Sequence, residues 1–107
     1  MKNQHDHLEV LRKIHNKPEY TQRKLAKDLG FSLGKLNYCL KALHQKGLIK
    51  IENFTKHKNK ITYVKRYLLT NRGIKHRINL TIIFMKKKMK EYDQLKSEIK
   101  KERKINR

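Results

Sequence analysis

Apolar residues recur along this chain with two different periods, and the changes of period divide it into elements. Leu8, Leu11 and Ile14 fall on one face of a helix, with Val10 beside them. Asp6-His7-Leu8-Glu9 has the spacing of a capping box, which predicts that this helix starts at Asp6. Pro18 disfavours helix in the residue before it and predicts an end near Asn16. The stretch from Thr21 to Gly47 then reads as a helix, a tight turn and a second helix. Thr21 is placed to cap the first helix, with Tyr20 and Leu25 spaced as a hydrophobic staple and Leu25, Ala26 and Leu29 facing inward. Gly30 follows where the chain must turn, and Ser32 is placed to cap the next helix. Leu33, Leu36, Leu40 and Leu43 give that helix a single apolar stripe, and Gly47 ends it.

Beyond Gly47 the period shortens to that of strands. Leu48–Phe54 alternates, and Ile61–Leu69 is rich in β-branched and aromatic residues, so the two form a hairpin across the polar stretch 55–60. Thr70 then caps a final helix running from Asn71 to about Lys104, without a proline and with Gly73 as its single glycine. Such a helix is roughly 50 Å long, more than a small core covers. Ile74, Ile78, Thr81, Met85, Lys88, Tyr92, Leu95 and Ile99 follow a four-three repeat, and Ile82, Phe84 and Met89 widen it. A partial heptad stripe on a helix of this length calls for a partner, most simply its own copy in a coiled-coil homodimer. Ile74, Ile78, Met85, Tyr92, Leu95 and Ile99 are the expected dimerisation residues.

The expected architecture is therefore mostly α (α+β): a winged helix-turn-helix domain over residues 5–70 and a C-terminal dimerisation helix over 71–105. In such a domain the second helix of the helix-turn-helix enters the DNA major groove, N-terminal part first. Its outward positions here are Ser32, Gly34, Lys35, Asn37, Tyr38 and Lys41. Asn37 and Tyr38 suit base edges, whereas Lys35 and Lys41 suit phosphates. Lys56, His57, Lys58, Asn59 and Lys60 occupy the hairpin tip, where they can follow the backbone or enter the minor groove; Lys65 and Arg66 extend the basic surface.

Charge strengthens that reading. There are 29 Lys and Arg against 9 Asp and Glu, a formal net charge of +20, which favours a polyanionic partner. A basic membrane-surface helix fits less well, because Glu91, Asp93, Glu98 and Glu102 interrupt the charge of the last helix and its stripe is narrow. No apolar segment suggests a signal peptide or a membrane span, so a cytoplasmic location is expected. Cys39, the single cysteine, excludes an intramolecular disulfide and a multi-cysteine zinc site; it reads as a small buried hydrophobe rather than a redox sensor. His5, His7 and His15 read as solvated helix-surface residues, not metal ligands. With no nucleophile–base pair, no phosphate-cradling glycine loop and no carboxylate pair in an apolar setting, neither an enzyme nor a cofactor is expected.

The segments 32–43 (SLGKLNYCLKAL) and 46–54 (KGLIKIENF), with Lys58-Asn59-Lys60 and the entry Leu68-Leu69-Thr70 with Gly73 and Ile74, resemble the MarR-family regulators associated with extracellular polysaccharide genes. The resemblance spans roughly residues 8–100. It implies a bacterial, nucleoid-associated homodimer that binds a pseudo-palindromic double-stranded DNA operator near surface-polysaccharide genes. The residues before Leu8 are too few for the terminal helices with which larger members build an effector cavity, so no small-molecule effector is assigned. Two other readings stay open on the residues alone: a sequence-tolerant architectural DNA- or RNA-binding protein, and an interaction module whose long helix recruits another protein.

Overall fold

The computed structural model describes residues 2–55 and 63–105. The elements are α1 (Lys2–Asn16), α2 (Gln22–Leu29), α3 (Leu33–Gln45), β1 (Ile49–Thr55), β2 (Tyr63–Leu69) and α4 (Asn71–Ile105). β1 and β2 form one antiparallel hairpin, with Ile49 opposite Leu69 and Thr55 opposite Tyr63. Mostly helical with a two-stranded sheet and a long last helix, the architecture is the expected one.

The caps form as their residue types predict. Thr21 Oγ1 accepts from the Lys24 N–H at 3.3 Å, and Ser32 Oγ accepts from the Lys35 N–H at 3.1 Å. Each satisfies a backbone donor that a helix start leaves without an intrahelical acceptor. Between the two helices Gly30 takes the left-handed conformation, φ 69°, and the Phe31 N–H reaches back to the Ala26 carbonyl at 2.9 Å. A side chain at Gly30 would make that turn strained.

The core is one cluster. Leu8, Val10, Leu11 and Ile14 of α1, Leu25 and Ala26 of α2, and Leu36, Cys39, Leu40 and Leu43 of α3 are buried together with Leu48, Ile49, Tyr67 and Leu80. Each fully buried leucine or isoleucine contributes about 1.5–3 kcal/mol. Leu80 supplies what the heptad pattern does not show, because α4 has two apolar faces. One holds Leu80 and half-buried Phe84 against the domain, and the other is exposed.

Four expectations need correction. First, α1 starts at Lys2 rather than Asp6. The extra turn packs on α4, where the His5 ring meets Phe84 edge-on with centroids 5.5 Å apart. Asp6 is thus inside the helix, and its carboxylate pairs with Lys35 Nζ at 3.5 Å. Second, His7 is not solvated but 6% exposed, because it lies three, four and seven residues before Val10, Leu11 and Ile14 on the buried face of α1. Third, Leu33 is 48% exposed, since the inward stripe of α3 starts one turn later at Leu36. Fourth, β1 begins and ends one residue later than the alternation suggested, at Ile49 and Thr55. Ile61 and Thr62, expected in the second strand, lie outside the described residues.

The start of α4 is fixed to the α3–β1 turn. Thr70 Oγ1 donates to the Gly47 carbonyl at 2.7 Å and accepts from the Gly73 N–H at 3.0 Å. The Thr70 N–H donates to the Leu48 carbonyl at 3.1 Å. These bonds aim a 35-residue helix away from the domain, and the molecule measures 74 × 25 × 22 Å.

Candidate nucleic-acid interface

α3 is buried on one side and open on the other. Leu36, Cys39, Leu40 and Leu43 face the core, while Gly34, Asn37, Tyr38 and Lys41 share the exposed side at three- and four-residue steps. Tyr38 is 65% exposed, so its ring is offered to solvent rather than packed. A Cβ on Gly34 would meet nothing within 4 Å. The fold itself therefore does not require glycine there, and the surface stays low at the front of the helix.

The expected contact residues are not equally available. Ser32 Oγ is occupied by its cap, although its side chain remains exposed. Lys35 lies back across the domain, its Nζ 4.1 Å from the centroid of Phe31 and 3.5 Å from Asp6. Asn37 Oδ1 accepts from Gln22 Nε2, and Gln22 Oε1 accepts from the Tyr67 hydroxyl at 3.4 Å. Lys41, His44 and Lys65 stand around the same shallow cleft of about 210 Å³, between α3 and the hairpin. Lys56, His57, Lys58, Asn59 and Lys60 lie outside the described residues. On the hairpin's described part Glu52 pairs with Arg66 across the strands at 3.6 Å and with Lys50 at 3.9 Å, so part of its basic charge is balanced.

Gln22, Tyr67 and His44 were not among the expected residues. A glutamine at the first position of a helix looks like any solvated polar residue. Only the crossing of α2, α3 and β2 brings it to Asn37, so no local signal could have found it.

Burial raises the Tyr67 hydroxyl and the Cys39 thiol above their ordinary pKa values; for Cys39, Asp6 adds to the rise and Lys35 opposes it. Cys39 is therefore a protonated, buried thiol, in keeping with its reading as a small hydrophobe. His7 is pushed the other way, below the usual imidazole value, chiefly by desolvation and then by Lys46. Its Nε2 has no hydrogen-bond partner among the described residues. No group of three or more His, Cys, Asp or Glu residues able to hold a metal occurs among them.

Of the expected dimerisation residues, Ile78, Met85, Tyr92, Leu95 and Ile99 are exposed, while Ile74 is half-buried against its own domain. Ile82 and Met89 are exposed as well. Ile78, Ile82, Met85, Met89 and Tyr92 then form a four-three stripe that bypasses the polar positions Thr81 and Lys88. Thr81 turns its hydroxyl to the Arg77 carbonyl at 2.8 Å. An open cleft of about 600 Å³ between α1 and α4, lined by Leu8, Arg12, Arg77, Phe84, Met85 and Met89, adjoins that stripe. No helix among the described residues is long and apolar enough to cross a membrane.

Comparison with known proteins fits this geometry. Residues 7–50 match the family model of a winged helix-turn-helix DNA-binding domain. The fold is that of a winged helix with a long C-terminal helix. Among solved structures, the winged helix is similar to Staphylococcus aureus MarR in complex with salicylate and kanamycin, at 20% identity and a TM-score of 0.63, over 94% of this chain and 69% of that one. It is similar to the S. aureus MepR–DNA complex at 24% identity and a TM-score of 0.61, over 90% of this chain and 73% of that one. Streptococcus pneumoniae FabT in complex with DNA gives 23% identity and a TM-score of 0.55, over 83% of this chain and 59% of that one. The chain thus spans between 59% and 73% of the two DNA-bound proteins. No curated protein matches it in sequence.

Proposed function

We propose that the protein is a sequence-specific, double-stranded DNA-binding transcriptional regulator that acts as a homodimer. The observation that carries this reading is the open side of α3. Gly34, Asn37, Tyr38 and Lys41 offer backbone access, an amide, a ring and a cation on a helix held rigidly by its buried side. The net charge of +20 supplies the sequence-independent attraction to phosphates. Two of the structures that share the fold, those of MepR and FabT, are DNA complexes.

In this reading the exposed stripe of α4 pairs with its copy, and the pair sets two α3 helices about one DNA turn apart, roughly 34–36 Å. The operator is then pseudo-palindromic. Lys41 and the wing lysines hold phosphates, and Asn37 and Tyr38 read bases. The site of action is the bacterial cytoplasm, at the nucleoid. The link to surface-polysaccharide genes rests on the sequence resemblance alone.

The test is selection of retained fragments from a random DNA pool at near-physiological salt. A two-fold symmetric motif with half-sites one turn apart is the expected result, and its occurrence upstream of polysaccharide genes would support that link. Retention without any enriched motif would sink the sequence-specific reading in favour of an architectural or RNA-binding role.

A further inference from the structure

Gln22 opens α2, yet its side chain serves α3. Its amide lies between the Tyr67 hydroxyl of β2 and the Asn37 amide of α3, donating to Asn37 Oδ1 and accepting from Tyr67 at 3.4 Å. The direction of this relay follows from its inner end. Tyr67 is 4% exposed, and burial holds its hydroxyl above the ordinary phenol pKa, so it keeps its proton. A buried hydroxyl proton needs an acceptor, and the Gln22 carbonyl supplies one. The Gln22 amino group is then left facing Asn37, and only the Asn37 carbonyl can accept from it. The Asn37 amino group is thereby turned to the open side of α3.

We propose that Gln22 is a positioning residue for base readout, presenting Asn37 to the major groove as a hydrogen-bond donor. This rests on the DNA-binding reading above. In the major groove guanine offers N7 and O6, adenine N7 and thymine O4 as acceptors, whereas cytosine offers only its N4 amine as a donor. The base facing Asn37 is therefore guanine, adenine or thymine, and cytosine is rejected. An asparagine free to turn would accept any of the four.

The experiment is the same random-pool selection, run on the full chain and on two variants, with thermal melting of each. Gln22→Met keeps length and removes the relay; it is expected to flatten preference at one position in each half-site by about tenfold. Gln22→Glu leaves a carboxylate that accepts from both Tyr67 and the Asn37 amino group. That reverses Asn37, exposes its carbonyl, and is expected to move the preference at the same position towards cytosine or adenine, whose amines donate. Gln22→Glu is expected to melt within a few degrees of the parent and Gln22→Met somewhat lower, because it leaves the Tyr67 hydroxyl without its acceptor, and both are expected to keep the rest of the motif. An unchanged motif in both variants overturns the role of Gln22 while leaving the regulator reading intact. Loss of the whole motif together with a lower melting point makes Gln22 a structural residue only, and also overturns it. A parent protein that enriches no motif overturns the underlying reading instead, and this inference falls with it.

Discussion

A methyl group placed on Gly73 would sit 1.9 Å from the carbonyl oxygen of Leu48. That same carbonyl accepts the Thr70 N–H at 3.1 Å. The first turn of α4 is thus pressed onto the turn that follows α3, and glycine is there for closeness rather than for an unusual backbone angle. Because α4 is anchored where α3 ends, a subunit pairing through α4 would also fix the direction of α3.

Gly73→Ala is expected to destabilise the fold by about 3 kcal/mol, the upper end of overpacking costs, since the opposing atom is backbone and cannot rotate away. Urea unfolding monitored by circular dichroism measures this. A loss below about 0.5 kcal/mol, the size of an ordinary surface substitution, would show that α4 can shift freely at its root.

Most of the fold was legible in the sequence because its signals are local. Thr21, Gly30 and Ser32 act through hydrogen bonds or backbone angles within a few residues of themselves, as does the Thr70 cap on the Gly73 N–H, and the leucines of α3 mark their face by period alone. What was not legible depends on packing between distant elements. Asp6 looked like a cap because the capping-box spacing is real, but the His5–Phe84 contact gives the chain before it a surface on which to stay helical. Leu80 fell outside the heptad stripe because a helix with two apolar faces has no single period. At the interface, the residue types on the outer side of α3 were readable. The partners of Lys35 and Asn37 were not, since Asp6 and Gln22 come from other helices.

His7 should make stability depend on acid. Desolvation lowers its folded pKa, with Lys46 and His76 acting in the same direction and Asp6 against them. The unfolded chain then binds the proton more readily than the folded one. Stability from this residue is complete above the ordinary imidazole pKa of 6.5 and is lost as pH falls from there towards the lower folded value. His7→Leu removes both the titration and a buried nitrogen without a partner. Its urea midpoint should change less than the parent's between about pH 7 and pH 5. Parallel curves for the two proteins would mean that another group carries the acid dependence.

The exposed stripe of α4 gives a direct test of assembly. Ile82→Lys and Met89→Lys place charges in the middle of an apolar seam at two exposed positions outside the buried core. Sedimentation should find the parent as a dimer at micromolar concentration and the double variant as a folded monomer. Operator affinity should fall much more than affinity for random DNA, because only the dimer holds two half-sites at once. A parent that sediments as a monomer contradicts the proposed architecture.

Lys35 is the position where geometry and residue type disagree. By type it is a phosphate contact, but its ammonium lies 3.5 Å from Asp6 and over the Phe31 ring. The ion pair is partly exposed and contributes at most about 1 kcal/mol to stability. Its effect on binding is larger, because Asp6 puts a negative charge beside a surface meant for phosphates. Lys35→Ala should therefore cost less DNA affinity than Lys41→Ala. Asp6→Asn should free Lys35, raise affinity for all sequences alike, and steepen the salt dependence by about 0.9 in the logarithmic slope, the increment for one added phosphate contact. Fluorescence anisotropy at several salt concentrations measures all three variants. If Lys35→Ala costs as much as Lys41→Ala, Lys35 leaves Asp6 when DNA arrives, and the ion pair does not hold it back from the phosphates.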